Sequence, residues 1–127
     1  MTTLPQVGIA ILFLVFISAP VSTVVAQDAP PSYVVSPDIY QVIAENDRMR
    51  MIMATWKPGQ RDQFHSHPAV AAYFLTDCEL RSYTPDGKFS ASRPRTAGTA
   101  GVQGAISSHS AENVGRSTCQ AVFTELK

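Results

Sequence analysis

Apolar and polar side chains alternate through Arg48 to Trp56 (RMRMIMATW), which sets Met49, Met51 and Met53 on one face. That period of two belongs to a half-buried β-strand. Methionine is a flexible gap-filler, so the stripe is expected to pack in the core. Tyr40 to Ala44, Asp62 to His67, Val70 to Thr76, Leu80 to Thr84, Ala105 to Val114 and Cys119 to Leu126 read as further short strands. Turn chemistry separates them at Glu45-Asn46-Asp47, Lys57-Pro58-Gly59, Pro68, Pro85-Asp86-Gly87 and Gly115-Arg116-Ser117. In Pro85-Asp86-Gly87 the proline is pre-set for the second turn position and the glycine is free to take positive φ. Arg93 to Gly104 is rich in Thr, Ala and Gly and has no clear periodicity. Beyond residue 26 no window of roughly 11–18 residues carries a sustained helical stripe. Short strands with Gly and Pro turns predict an all-β antiparallel sandwich or barrel.

The N-terminus follows a different pattern. Residues 1–26 contain no charged side chain, and Val7 to Ile17 (VGIAILFLVFI) is unbroken apolar sequence. Pro20 breaks any helix there, and Val24-Val25-Ala26 places small residues before Gln27, as at a signal-peptide cleavage site. The run is short of the roughly 20 apolar residues that a spanning helix needs. A cleaved signal peptide over residues 1–26 is therefore expected, with an uncleaved membrane anchor as the alternative. Either way the folded part is exported, to a periplasm or outside the cell. Residues 27–37 hold three prolines and read as an extended leader, which leaves 38–127 for one domain with one modest core. The 10 basic and 10 acidic residues all lie beyond residue 26 and cancel. Such a balance supplies no electrostatic reason for a nucleic-acid partner. Cys78 and Cys119 would meet an oxidising compartment, in which a disulfide can persist.

Candidate chemistry centres on His65-Ser66-His67. On a strand these two imidazoles project to the same face, close enough to share one metal ion. The chain has only one more histidine, His109, on a separate expected strand. Three imidazoles converging on one point would bind Fe, Zn, Ni, Cu or Mn and leave coordination positions open. A histidine pair alone is equally consistent with packing. Gln63, in phase with the pair, is a candidate for the cavity wall or a fourth ligand through oxygen. Tyr73 on the next strand could face a bound oxygen species or pack in the core. Asn113 shares the face of His109 and could hydrogen-bond a loop, whereas Glu112 points the other way. The possible pocket is thus Gln63, Tyr73 and Asn113.

Gly59-x5-His65-x-His67 resembles the first motif of the cupin superfamily, and His109-x3-Asn113 resembles the end of its second, with Gly98 where that motif would begin. The chain is most similar to small single-domain bacterial cupins with a His-Ser-His-Pro element, a Pro-Asp-Gly turn and a Glu-Asn-x-Gly. The resemblance spans about residues 38–127, nearly all of the chain beyond the leader. It implies a double-stranded β-helix, or jelly roll, with a divalent transition metal inside the barrel. Two departures stand out. The family's first motif places a Glu four or five residues beyond the second His, where this chain has Ala71 and Ala72. Its closing glycine is also absent, with Cys78 and Glu79 in that region, and Gly104 and Ile106 replace the Pro and Gly that precede the second-motif His. Of four usual ligands, only His65, His67 and His109 carry over. Loss of the carboxylate disfavours hard cations such as Mg²⁺ and Mn²⁺ relative to softer ones.

What the resemblance implies for function stays general: a metal-binding domain holding a small organic ligand, as a binding module or an enzyme. A more specific alternative is a three-histidine Fe(II) dioxygenase. A third is a metal-free barrel that dimerises, since cupins often pair through their sheets. In such a jelly roll, Cys78 and Cys119, each near the start of a strand, are expected at opposite ends and not bonded to each other.

Overall fold

The computed structural model describes residues 27–127, and the signal-peptide reading of residues 1–26 lies outside them. Among the described residues no helix is long and apolar enough to cross a membrane. One helical turn, α1 (Ser32–Val35), precedes nine strands: β1 (Tyr40–Glu45), β2 (Met49–Trp56), β3 (His65–His67), β4 (Val70–Phe74), β5 (Cys78–Tyr83), β6 (Arg93–Arg95), β7 (Ala100–Gln103), β8 (Ile106–Asn113) and β9 (Cys119–Leu126). They form two antiparallel sheets, one in the order β1-β2-β9-β4-β7 and the other β3-β8-β5-β6. The antiparallel all-β fold expected from the strand pattern is observed, in the double-stranded β-helix form that the family resemblance implies. Gly59 and Gly87 take φ of 76° and 83° in the Lys57-Pro58-Gly59 and Pro85-Asp86-Gly87 turns, a region open to glycine at no steric cost.

The core lies between the sheets and is built on Ile52, Ala54 and Trp56 of β2, Tyr40 of β1 and Cys119 and Ala121 of β9. The methionine stripe is therefore on the opposite face from the one expected. Met49 and Met51 are 43% and 39% exposed, while Ile52 and Ala54 are fully buried and Trp56 nearly so. Met51-Ile52-Met53 is apolar at three successive positions, so alternation alone leaves the phase of the strand open. Register settles it. Ile52, Ala54 and Trp56 lie opposite Phe123, Ala121 and Cys119, and directly opposed residues share a face. Burying Trp56 and Tyr40, which meet edge to face with centroids 5.3 Å apart, removes more apolar surface from water than burying two thioethers.

Two weakly patterned segments acquire structure from their neighbours. Arg93 to Gly104 contributes β6 and β7, each at one edge of its sheet. The leader is more than extended chain: α1 forms within it, Ser32 is fully buried, and Pro31 bridges Ser66 in parallel. Ala29 N–H donates to Ser107 C=O at 2.9 Å, and Ser66 N–H donates to Pro30 C=O at 3.0 Å.

Cys78 and Cys119 form a disulfide with Cα atoms 4.8 Å apart, contrary to the expectation of separate thiols. The reason is topological. β4 runs antiparallel to β9, so Phe74 at its end lies opposite Ala121 near the start of β9. The short link after it stays there, with Leu75 N–H donating to Gln120 C=O at 2.8 Å. β5 thus begins beside the beginning of β9, and the bond ties one sheet to the other. For a separation of 41 residues, loop-closure entropy implies stabilisation of roughly 4 kcal/mol. A Cys78→Ser/Cys119→Ser variant should lose stability of that order in urea unfolding, and reduction of the natural chain should reproduce the loss. Equal midpoints with and without reductant would show that the bond is not made.

Candidate metal centre

β3 and β8 are adjacent, and His65 lies directly opposite His109. The register then shifts, with His67 opposite Ile106. Period two turns His67 to the same side as His65, so three rings meet with centroids 4.5–5.2 Å apart. One nitrogen from each lies within 4.8 Å of the others. His65 is fully buried and His67 nearly so.

Hydrogen bonds orient two of the rings. His65 Nδ1 is 2.7 Å from Gln63 C=O, and His67 Nδ1 is 2.6 Å from Glu125 Oε1. A carbonyl and a carboxylate only accept, so each Nδ1 carries the proton. In a neutral ring that leaves a bare lone pair on Nε2, and these two Nε2 atoms are 2.9 Å apart. Two lone pairs facing each other repel unless something electron-poor accepts both. The third ring reinforces this: His109 Nδ1 is 3.2 Å from Ser82 Oγ, while its buried Nε2 has no partner. Burial and the neighbouring rings hold His109 down to about 3, and burial lowers His65 as well. Neutral imidazole is the metal-binding form. Three imidazoles whose nitrogens converge, with His109 Nε2 left unpartnered, fit a divalent transition ion.

Two buried carboxylates complete the surroundings. Glu125, 2% exposed, backs His67, and its Oε2 is 3.9 Å from Arg50 Nη1. Asp62, 5% exposed, accepts from Tyr40 Oη at 2.7 Å, Trp56 Nε1 at 3.1 Å and Ala111 N–H at 2.6 Å. Its Oδ1 is 3.6 Å from His65 Nδ1. Burial and Asp62 push the Tyr40 phenol well above its ordinary value, so it stays protonated and donating. Two buried carboxylates thus stand behind the rings, Glu125 against His67 Nδ1 and Asp62 near His65 Nδ1. This is the arrangement by which second-layer groups orient metal ligands and raise their basicity.

The cavity in front of the rings encloses about 370 Å³. His67, His109, Tyr40 and Trp56 line its inner end, and Arg93, Arg95, Val102 and Gln103 its exposed end. Of the three residues expected at a pocket, none lines it. Gln63 is exposed and contributes its backbone: its C=O orients His65 and its N–H donates to Ser36 Oγ at 2.9 Å. Tyr73 is 47% exposed on the outer face, because Val70, Ala72 and Phe74 take the inward phase of β4. Asn113 is buried but serves the following turn, donating to Trp56 C=O and Ser117 C=O and accepting from Gly115 N–H.

Tyr40, Asp62 and Glu125 were not singled out from sequence. Glu125 had a visible signal, since it is in phase with the inward Cys119, Ala121 and Phe123 of β9. Asp62 had none: an unbroken strand over Asp62 to His67 would turn it away from the face of His65, whereas β3 begins only at His65 and the chain before it is irregular.

Among solved structures the chain is similar to a cupin-domain protein of Bordetella pertussis Tohama I, with 20% identity over 80% of this chain and 99% of that one at a TM-score of 0.63. A conserved protein with a double-stranded β-helix domain from Klebsiella pneumoniae subsp. pneumoniae is also 20% identical, over 69% of this chain and 75% of that one, with a TM-score of 0.54. A cupin superfamily protein of Desulfitobacterium hafniense is 12% identical over the same shares, with a TM-score of 0.51. Neither a family profile nor a curated protein sequence matches the chain. The fold is that of the cupins.

A depressed histidine has a consequence for stability. The unfolded chain protonates His109 near 6.5 and the folded metal-free chain only near 3. The unfolded state therefore binds more protons as pH falls below 6.5, and stability should drop by roughly 1.4 kcal/mol per pH unit for each such excess proton. Urea unfolding of metal-free protein between neutral pH and mild acid should show this slope, and His109→Asn should flatten it. An identical slope in the variant would count against a neutral, buried His109.

Proposed function

We propose that this protein binds a divalent transition metal through His65, His67 and His109 and holds a small organic molecule in the cavity before it. The observation that carries the reading is the pair of Nε2 atoms 2.9 Å apart with both Nδ1 protons already committed to acceptors. A bound ion would supply Lewis acidity toward an oxygen or nitrogen of the ligand. The chain's own residues do the rest. Gln63 C=O and Glu125 hold two rings in the required tautomer, Tyr40 keeps its own proton and donates it in a hydrogen bond to Asp62, and apolar walls of Phe74, Leu80 and Phe123 exclude water from the inner end.

A second reading, dioxygenation on Fe(II), is favoured by one feature. Ala72, at a position where a carboxylate ligand would be expected, lines the cavity, so the available ligands are all histidine. Oxygen uptake by Fe(II)-loaded protein with thiols, diketones or phenols tests it, and no uptake above buffer with any of them excludes it for those classes. We further place the folded domain in an oxidising compartment outside the cytoplasm, a reading supported by the Cys78–Cys119 bond and the uncharged N-terminal run.

Metal content of untagged protein should approach one equivalent and fall to background in His65→Ala/His67→Ala. Glu125→Gln, which leaves all three ligands in place, should bind metal roughly 10–100-fold more weakly in a competition titration. Equal metal content in the natural chain and the double-histidine variant would overturn the reading.

A further inference from the structure

The cavity carries a charge pattern that the three histidines do not explain. Its lining includes two guanidinium groups, Arg93 and Arg95, and no Asp or Glu. Both arginines come from β6, an edge strand. β6 pairs with β5 so that Arg93 lies opposite Leu80 and Arg95 opposite Cys78. Directly opposed residues point to the same side of a sheet. Leu80 packs against the core and Cys78 is buried within it, so the two arginines are in the inward phase of the barrel. The strand is open to solvent at its free edge, which keeps both side chains hydrated and charged. Among the described residues neither guanidinium takes part in an ion pair or a side-chain hydrogen bond. Arg61, by contrast, is engaged, lying 3.7 Å over the Tyr83 ring and donating to Ser110 Oγ. Arg95 has one soft contact, its Cζ 5.7 Å from the Phe74 ring inside the cavity.

We propose that the ligand of this cavity is a small organic carboxylate, its anionic head held by Arg93 and Arg95 and its apolar body lying against Phe74, Leu80 and Phe123. This rests on the binding-cavity reading above and adds the ligand's chemical class to it. A guanidinium presents two parallel N–H donors that match a carboxylate's two oxygens. Hydroxyls of Ser82 and Ser90 on the same wall offer further polar contacts to a substituent. A volume near 370 Å³ lies at the small end of ligand pockets, which restricts the body to a single ring or a short chain. The absence of lining carboxylates disfavours an amine or other cation. The plain alternative is that inward charges on β6 only protect a free edge from pairing with another chain.

The test uses benzoate and hexanoate against their neutral isosteres benzamide and hexanamide. Binding is followed by backbone amide shifts and calorimetry on both metal-free and Ni²⁺-loaded protein. Each carboxylate should bind at least roughly tenfold more tightly than its amide. Arg93→Gln/Arg95→Gln should remove that preference with metal content unchanged, and Arg48→Gln, on a distant exposed turn, should keep it. The metal-free arm separates this proposal from the metal reading: if Ni²⁺ does not bind but the arginine-dependent preference persists, only the metal reading fails. Equal affinity for acid and amide, an undiminished preference in the double variant, or no binding of either carboxylate at millimolar concentration would overturn the proposal. The last two outcomes would leave β6 with a role in edge protection alone.

Discussion

Three donors from three strands converge on one carboxylate, and the placement of the histidines depends on it. Asp62 takes Tyr40 Oη from β1, Trp56 Nε1 from β2 and the Ala111 N–H from β8. The first two strands belong to the five-stranded sheet and the third to the other, so the bonds cross the interior and hold the sheets at one separation. A buried carboxylate without partners would cost several kcal/mol. With three donors both its oxygens are satisfied, and it lies three residues before His65. The chain between them is thereby tied at one end, and Ser36 Oγ ties its middle through Gln63 N–H. His65 enters β3 with its ring already aimed.

The same economy of charge extends through the site. His67 rests on Glu125, and His109 meets only the hydroxyl of Ser82. Negative charge is held behind the rings, on the side away from the cavity, while positive charge stands at the far end on Arg93 and Arg95. A ligand spanning the cavity would have apolar wall for most of its length, with a polar group favoured at each end. The departure at Ala71 and Ala72 is informative in this light. A carboxylate is present, but it comes from β9 and contacts a ring nitrogen turned away from the cavity.

Much of the fold was legible in the chain because period two and turn residues are local properties. Strands β1 to β5, β8 and β9, the Pro-Gly and Pro-Asp-Gly turns and the convergence of His65, His67 and His109 followed from them together with the family resemblance. Phase was harder. In Met51-Ile52-Met53 both faces are apolar, and only the pairing with β9 shows that Ile52 goes in and the methionines stay out. Tyr73 faces outward for the same reason, because its apolar flanks at Ala72 and Phe74 take the inward face. β6 and β7 are edge strands with one neighbour each, and little in their composition needed to advertise them.

What the sequence determined alone is the set of local geometries: which runs extend, where the chain turns, and that two imidazoles share a strand face. These depend on steric limits at each residue and on the alternation of side chains. What only the tertiary structure decided are the relations between distant residues. Cys78 lies beside Cys119 because an antiparallel strand returns the chain to the start of β9, and no spacing rule encodes that return. Asp62 and Glu125 support His65 and His67 because separate sheets close on one another, and a buried charge is stable only where its partners are delivered from elsewhere. His65-Ser66-His67 could be recognised as a pair of ligands; the carboxylates that orient it, and the arginines that face it, exist only as neighbours in space.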